Sequence, residues 1–226
     1  FSKALSAREE ARKGLAELLN AEPGEIAITT RATEGINLVV KSIDWKKGDK
    51  VVLNDQEYPP TMTLWNYLKE HFGVETVTVK SDRNGLVNAS DVDQAIDEKT
   101  RLISMCHVAF DTGTILPAQE IGKIAKEHEV PYLLDGAQAV GAMKVDVEEI
   151  GCQFYAVAGQ KFLGAGSGTG ALYFQRSEGK KLTSLILSGS YTSEFVPGMA
   201  KVEVAEAFSP EGLLLPPYRF ETASLN

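Results

Sequence analysis

The sequence predicts an α/β fold with three layers, α/β/α, around a mostly parallel central sheet. Two observations predict it. Short apolar runs of strand length recur along the 226 residues, and helix-length segments separate them. Several of those runs, such as Tyr132-Leu133-Leu134, are continuously apolar, as strands covered on both faces are. A chain of this length suffices for one large domain with a sizeable core, without disulfides or metals.

Residues 1–20 read as an amphipathic helix, with Leu5, Ala11, Leu15, Leu18 and Leu19 at helical spacing. Pro23 and Gly24 break it. Glu25 to Thr29 reads as a strand, Thr30 to Thr33 as a polar turn, and Glu34 to Lys41 as a helix. Val51 to Asn54 is a buried strand; Thr61 to His71 is a helix after Pro59-Pro60. Val74 to Val79 is a strand, and Ser90 caps a short helix through Ile96. Arg101 to Val108 (strand), Pro117 to His128 (helix) and Val130 to Leu134 (strand) follow. Gln153 to Val157 and Gly170 to Phe174 complete the strands. After Lys180 the pattern weakens, and residues 188–217 read as a long excursion before Arg219-Phe220-Glu221.

The formal net charge of −8 argues against nucleic acid and against an anionic membrane surface as partners. No run is long and apolar enough to span a bilayer, and no signal peptide is visible. Cys106 and Cys152 belong to no CxxC or Cys/His cluster, so a metal site and a disulfide framework are not expected. Two reduced, buried thiols fit a cytoplasmic protein.

In open α/β sheets ligands bind at the carboxyl ends of the strands. The segments to inspect are therefore Thr30–Thr33, Gln56–Tyr58, Phe110–Gly113, Asp135–Gln138 and Ala158–Lys161. Asp135 ends an apolar strand, where a carboxylate needs a cation or donors; a helix cap for the segment at Gly136 is the plainer reading. Lys161 follows a strand and precedes a glycine-rich loop. A lysine partly desolvated there is a better amine nucleophile; a snorkelling surface lysine is the alternative. The loop Gly164-Ala165-Gly166-Ser167-Gly168-Thr169-Gly170 leads into a strand rather than a helix and lacks a Gly-Lys-Ser/Thr ending. It is therefore no dinucleotide fingerprint or P-loop, and its glycines read as permitting a tight strand connection near a ligand. Thr30-Arg31-Ala32-Thr33-Glu34-Gly35, between a strand and a helix, suits a single phosphate or an ordinary capping box.

Taken together, these segments resemble a known family. Leu134-Asp135-Gly136-Ala137-Gln138-Ala139-Val140, Val145-Asp146-Val147, Phe154-Tyr155 and Gly159-Gln160-Lys161 resemble the core of class V aminotransferases, nearest to the cysteine desulfurase and selenocysteine lyase branch. Ala32-Thr33-Glu34-Gly35-Ile36-Asn37-Leu38 resembles that family's phosphate-binding turn. His107-Val108 with Gly113-Thr114-Ile115-Leu116-Pro117 resembles its next strand and helix start, and Arg219-Phe220-Glu221 the stretch leading into its later helices.

The resemblance implies fold type I and pyridoxal 5'-phosphate (PLP). Residues 1–226 are then the PLP-binding large domain, incomplete, with the native N-terminal segment and the small C-terminal domain absent. Lys161 would hold PLP as a Schiff base and shuttle the proton at the substrate Cα. Asp135 would pair with the pyridinium nitrogen and Gln138 with the phenolic oxygen. Thr33, with the amides of Ala32 and Thr33, would hold the phosphate. Tyr58 would stack on the ring, its alternative being a plain surface tyrosine. Gln160 and His107 complete the expected cofactor contacts, and Thr222 or Ser224 would reach a phosphate in a partner subunit. The chain departs from the family at Ala158 and Gln160, where relatives carry Ser and His donors, at Phe110 and Asp111, and at Glu221-Thr222-Ala223-Ser224. The implied reaction is cysteine desulfuration of a small amino-acid substrate, in a homodimer, with a sulfur-acceptor protein. A C–S lyase, epimerase or aminotransferase of the same family, and a truncated PLP-binding relative without turnover, are the alternatives.

Overall fold

A computed structural model describes residues 2–179 together with Lys181 and Leu182. In chain order the elements are α1 (Ser2–Leu19), β1 (Ile26–Thr29), α2 (Ala32–Lys41), β2 (Lys50–Asn54), α3 (Pro59–Phe72), β3 (Glu75–Val79) and α4 (Ala89–Ala95). β4 (Thr100–Cys106), α5 (Ala118–Glu127), β5 (Tyr132–Asp135), α6 (Val147–Ile150), β6 (Phe154–Ala158) and β7 (Gly170–Phe174) follow.

The strands form one sheet in the order β1-β7-β6-β5-β4-β2-β3. β2 pairs in parallel with β3 and β4, β4 with β5, and β5 with β6. β7 is antiparallel to both β6 and β1. Two reversals cancel, so β1 runs in the same sense as the parallel set. The carboxyl ends of β1, β2, β4, β5 and β6 therefore open on one edge.

Each inner strand sends alternate side chains to opposite faces, the two-residue period of a pleated strand. Tyr132 and Leu134 of β5, and Tyr155 and Val157 of β6, join the core beneath α1, α4, α5 and α6. Leu133, Phe154, Ala156 and Ala158 join a second core with α2 and α3. This is the expected three-layer arrangement. α2 lies close on β7, where a Cβ on Gly35 would stand 3.2 Å from the Leu172 Cβ. The buried Arg12 of α1 donates to the Ile26 carbonyl and to Glu9, so its charge is met.

Some boundaries differ from the sequence reading. α4 begins at Ala89 with Asn88 in the cap position, so Ser90 lies inside the helix. The Asn88 side chain caps no amide there; it donates to Asp91 instead. β4 ends at Cys106 because the chain then turns, and Val108 forms an isolated bridge with Ile115. α2 starts two residues early, at Ala32, because Glu34 accepts from both the amide and the hydroxyl of Thr30 at 2.7 Å.

The tightest helix contact is at Gly122 of α5, where a Cβ would stand 1.8 Å from the Ile150 carbonyl oxygen. Backbone on backbone has little room to give, so Gly122→Ala should force α5 and α6 apart. Overpacking of this kind costs roughly 1–3 kcal/mol or more and exceeds the ~1 kcal/mol that alanine gains in a helix. Gly14 of α1 has nothing within 4 Å of its Cβ position. Denaturant unfolding is expected to show a loss for Gly122→Ala and a gain of about 0.5–1 kcal/mol for Gly14→Ala.

Candidate functional site

β2 is followed in space by β3 on one side and by β4 on the other. This reversal of strand order opens a crevice at the carboxyl edge, as it does in doubly wound sheets. A narrow cleft lies there. Its lining comes from four strand ends: Gln56 and Tyr58 after β2, Cys106, Val108 and Phe110 at and after β4, Asp135, Ala137 and Gln138 at and after β5, and Lys161 after β6.

Asp135 is the last residue of β5 and is buried. Burial raises its carboxyl pKa; the Ala137 amide, which donates to Oδ1 at 2.9 Å, and the nearby charge of Lys161 pull it back. Oδ2 receives no hydrogen bond from a described residue, so one acceptor is left for a donor in the cleft. The helix-cap reading of Asp135 is met only as far as that one bond to Ala137.

Lys161 is half-buried, and its Nζ lies 5.6 Å from the centre of the Tyr58 ring. Tyr58 caps α3, and Phe110 meets it edge-on at 5.5 Å between ring centres. Two aromatic rings, an amine and a carboxylate thus surround one small volume. Gly136 and Gly159 bring the backbone close. A Cβ at Gly136 would stand 1.9 Å from the Tyr155 ring, and one at Gly159 would stand 2.4 Å from the Thr169 hydroxyl. Residues 159–169 join β6 to β7, a longer connection than the tight one the glycines suggested, with Gly164 and Gly168 at positive φ.

The other expected residues lie as follows. Gln138 lines the cleft. Ala32 and Thr33 begin α2, whose first amides have no partner within the helix. Thr33 lines an adjoining cavity with Asn37, Lys41, Pro60 and Thr61, on the far side of the Tyr58–Pro60 turn. Gln160 is exposed and does not line the cleft. His107 is not brought to it either. Cys106 takes the cleft side of the strand end, so the next side chain points the other way. There His107 is buried, its Nδ1 lies 2.7 Å from the Tyr155 hydroxyl, and burial pushes its pKa down to about 4. Thr222 and Ser224 lie outside the described residues. No group of three or more His, Cys, Asp or Glu among the described residues could hold a metal ion.

Sequence reasoning missed Glu57. It is buried and accepts from the Cys106 amide at 2.8 Å and from Asn54 Nδ2 at 3.0 Å. The signal was present: an acid three residues past the end of an apolar strand, within a segment at a strand carboxyl end.

The donor set can be tested against a phosphorylated pyridine aldehyde. Such a group asks for an amine, an acid partner for the ring nitrogen, a flat face and amide donors for a phosphate. Lys161, the free oxygen of Asp135, Tyr58 and the first turn of α2 answer to these in kind, and all lie on the same sheet edge.

Known proteins share this family and this fold. The profile of the aminotransferase class-V family matches residues 2–207. A probable cysteine desulfurase of Methanothermobacter thermautotrophicus is 35% identical over 220 residues, which are 96% of this chain and 52% of that protein. The apo structure of a cysteine desulfurase from Thermococcus onnurineus NA1 matches with a TM-score of 0.81 at 29% identity, covering 96% of this chain and 52% of that one. The cystine C–S lyase C-DES, solved as a mutant with glycine covalently linked to its PLP cofactor, matches with a TM-score of 0.82 at 26% identity. That match covers 99% of this chain and 58% of the other. The chain spans about half the length of the curated relatives it matches. It belongs to the aminotransferase class-V family.

Proposed function

We propose that this chain binds PLP through Lys161 and serves a cysteine desulfurase-like reaction on a small amino acid. The observation that carries the reading is the meeting of Lys161 and Asp135 in one cleft at the switch point of the sheet. Relatives and structural neighbours named as cysteine desulfurases support the reaction class.

When bound, PLP supplies an electron sink for negative charge at the substrate Cα. The residues of the chain do the rest. The amine of Lys161 holds the cofactor, and later holds and returns the proton at the substrate Cα. Asp135 accepts from the ring nitrogen and keeps it protonated, which a buried carboxylate does best with a cation beside it. Gln138 donates to the phenolic oxygen. Tyr58 offers a flat face. The amides of Ala32 and Thr33, with the Thr33 hydroxyl, take the phosphate at the positive end of α2. Ala158 ends β6 fully buried and has no side-chain donor, so the first turn of α2 carries more of the phosphate than it does in relatives with Ser and His donors.

Desulfuration breaks the cysteine Cβ–S bond and forms an S–S bond on an acceptor thiol, releasing alanine and a persulfide. Cys106 and Cys152 are buried, and burial pushes both thiols far up, so neither is a ready thiolate. The acceptor thiol is therefore another one, on a sulfur-acceptor protein or elsewhere. A cystine C–S lyase among the structural neighbours favours lyase chemistry as the second reading. The two free thiols fit a cytoplasmic setting.

The products separate these readings. Incubated with L-cysteine, PLP and a thiol reductant, the full chain is expected to release alanine and sulfide in equal amounts. Lys161→Ala should lower the rate by a factor of at least about 10³. Pyruvate and ammonia in place of alanine would make it a lyase, and turnover unchanged in Lys161→Ala would overturn the site. A homodimer is also proposed, because related sites are completed by a second subunit. Light scattering should give twice the chain mass for the PLP-loaded protein; an active, loaded monomer would refute it.

A further inference from the structure

Glu57 is a buried acid to which the chemistry above gives no part. It stands between β2 and the Tyr58 cap of α3, with 6% of its surface exposed. Its two hydrogen bonds, from the Cys106 amide and from Asn54 Nδ2, both go to Oε1. Oε2 receives none from a described residue. That asymmetry matches a protonated carboxyl, whose carbonyl oxygen accepts twice while its hydroxyl keeps the proton.

The neighbours point the same way. Cys106 and Asp135 are register partners across β4 and β5, so the bond from the Cys106 amide sets Glu57 beside Asp135. Two buried carboxylates placed together do not both ionise readily. Asp135 has the charge of Lys161 to offset its own, and among the described residues no cation offsets the charge of Glu57. Burial, and then the charge of Asp135, push the Glu57 carboxyl up to about 8. Among the described residues, the Cys106 thiol and the Tyr132 phenol also face it, both held neutral by burial.

We propose that Glu57 is a positioning residue, an uncharged carboxylic acid beneath the cleft that ties the end of β2 to the end of β4 and leaves Asp135 as the anion facing the bound cofactor ring. This rests on the reading of the cleft as a PLP site. An ionised Glu57 would compete with Asp135 for the ring proton and for the charge of Lys161. The role thus needs the shape and hydrogen bonds of a carboxyl without its charge, which glutamine supplies and alanine does not.

The linkage follows from the raised folded value. The acid form stabilises the fold fully below the unfolded value near 4.5, and that stability is lost as pH rises through about 8.

Three measurements on the full chain test this. In the infrared difference spectrum of cofactor-free wild type against Glu57→Gln at about pH 6, a protonated-carboxyl C=O band is expected in the wild type alone. It should fade as pH is raised past about 9, and its absence at about pH 6 would overturn the proposal. The thermal midpoint of cofactor-free wild type should fall more steeply between about pH 5 and pH 9 than that of Glu57→Gln; parallel curves would contradict it. In visible-absorbance titrations with PLP, Glu57→Gln is expected within about threefold of wild-type affinity and Glu57→Ala at least about tenfold weaker. Equal losses in both variants would show that the acid itself is required. A wild type that binds no PLP would sink the cofactor reading and the positioning role with it, and the infrared band would then still decide the charge of Glu57.

Discussion

The fold must keep a carboxylate at the buried end of a central strand. Asp135 sits where the ends of the parallel strands open on one edge, and burial works against its charge. Two things make it tolerable: the amide of Ala137 and the charge of Lys161. Both depend on backbone placement. Ala137 reaches Oδ1 because Gly136 turns tightly against the Tyr155 ring, where a side chain would collide. Lys161 reaches the cleft because β6 is the next strand over and ends in register with β5. The amine and the acid are thus made neighbours by the sheet, and neither is intelligible alone.

The same edge explains the arrangement around them. Parallel pairing brings Tyr58 and Phe110 to the mouth from β2 and β4. Below, Glu57 accepts from Asn54 and the Cys106 amide, and His107 pairs with Tyr155, while Gln56 Oε1 and the Tyr132 hydroxyl have no partner among the described residues. Such pairings keep buried dipoles satisfied and hold the strand ends at fixed spacing.

Much of this was legible in the sequence. The runs Val51–Asn54, Tyr132–Leu134 and Phe154–Val157 read as strands because only apolar side chains fit a sheet covered on both faces. The rule that ligands sit at strand carboxyl ends then picked out the segments holding Asp135, Gln138, Lys161 and Tyr58, the family resemblance singled out Gln138 and Tyr58 within them, and all four line the cleft. Other features depend on contacts distant in sequence. The antiparallel insertion of β7 between β1 and β6 left no local mark. The direction of His107 follows from where β4 stops its regular pairing, and the motif around it says nothing of that. The mutual position of Glu57 and Asp135 required the β4–β5 register, which no spacing along the chain encodes. The short helix α6, whose amides Asp146 caps, was too brief for a periodic pattern to reveal.

The central claim is that Lys161 carries the cofactor in this cleft. The most direct measurement is a peptide map of the full chain, loaded with PLP, reduced with borohydride and digested. The account predicts a reduced pyridoxyl group on the single peptide that contains Lys161, and none on Lys41 beside the α2 cavity. Label spread over several lysines, or none on Lys161, would contradict it.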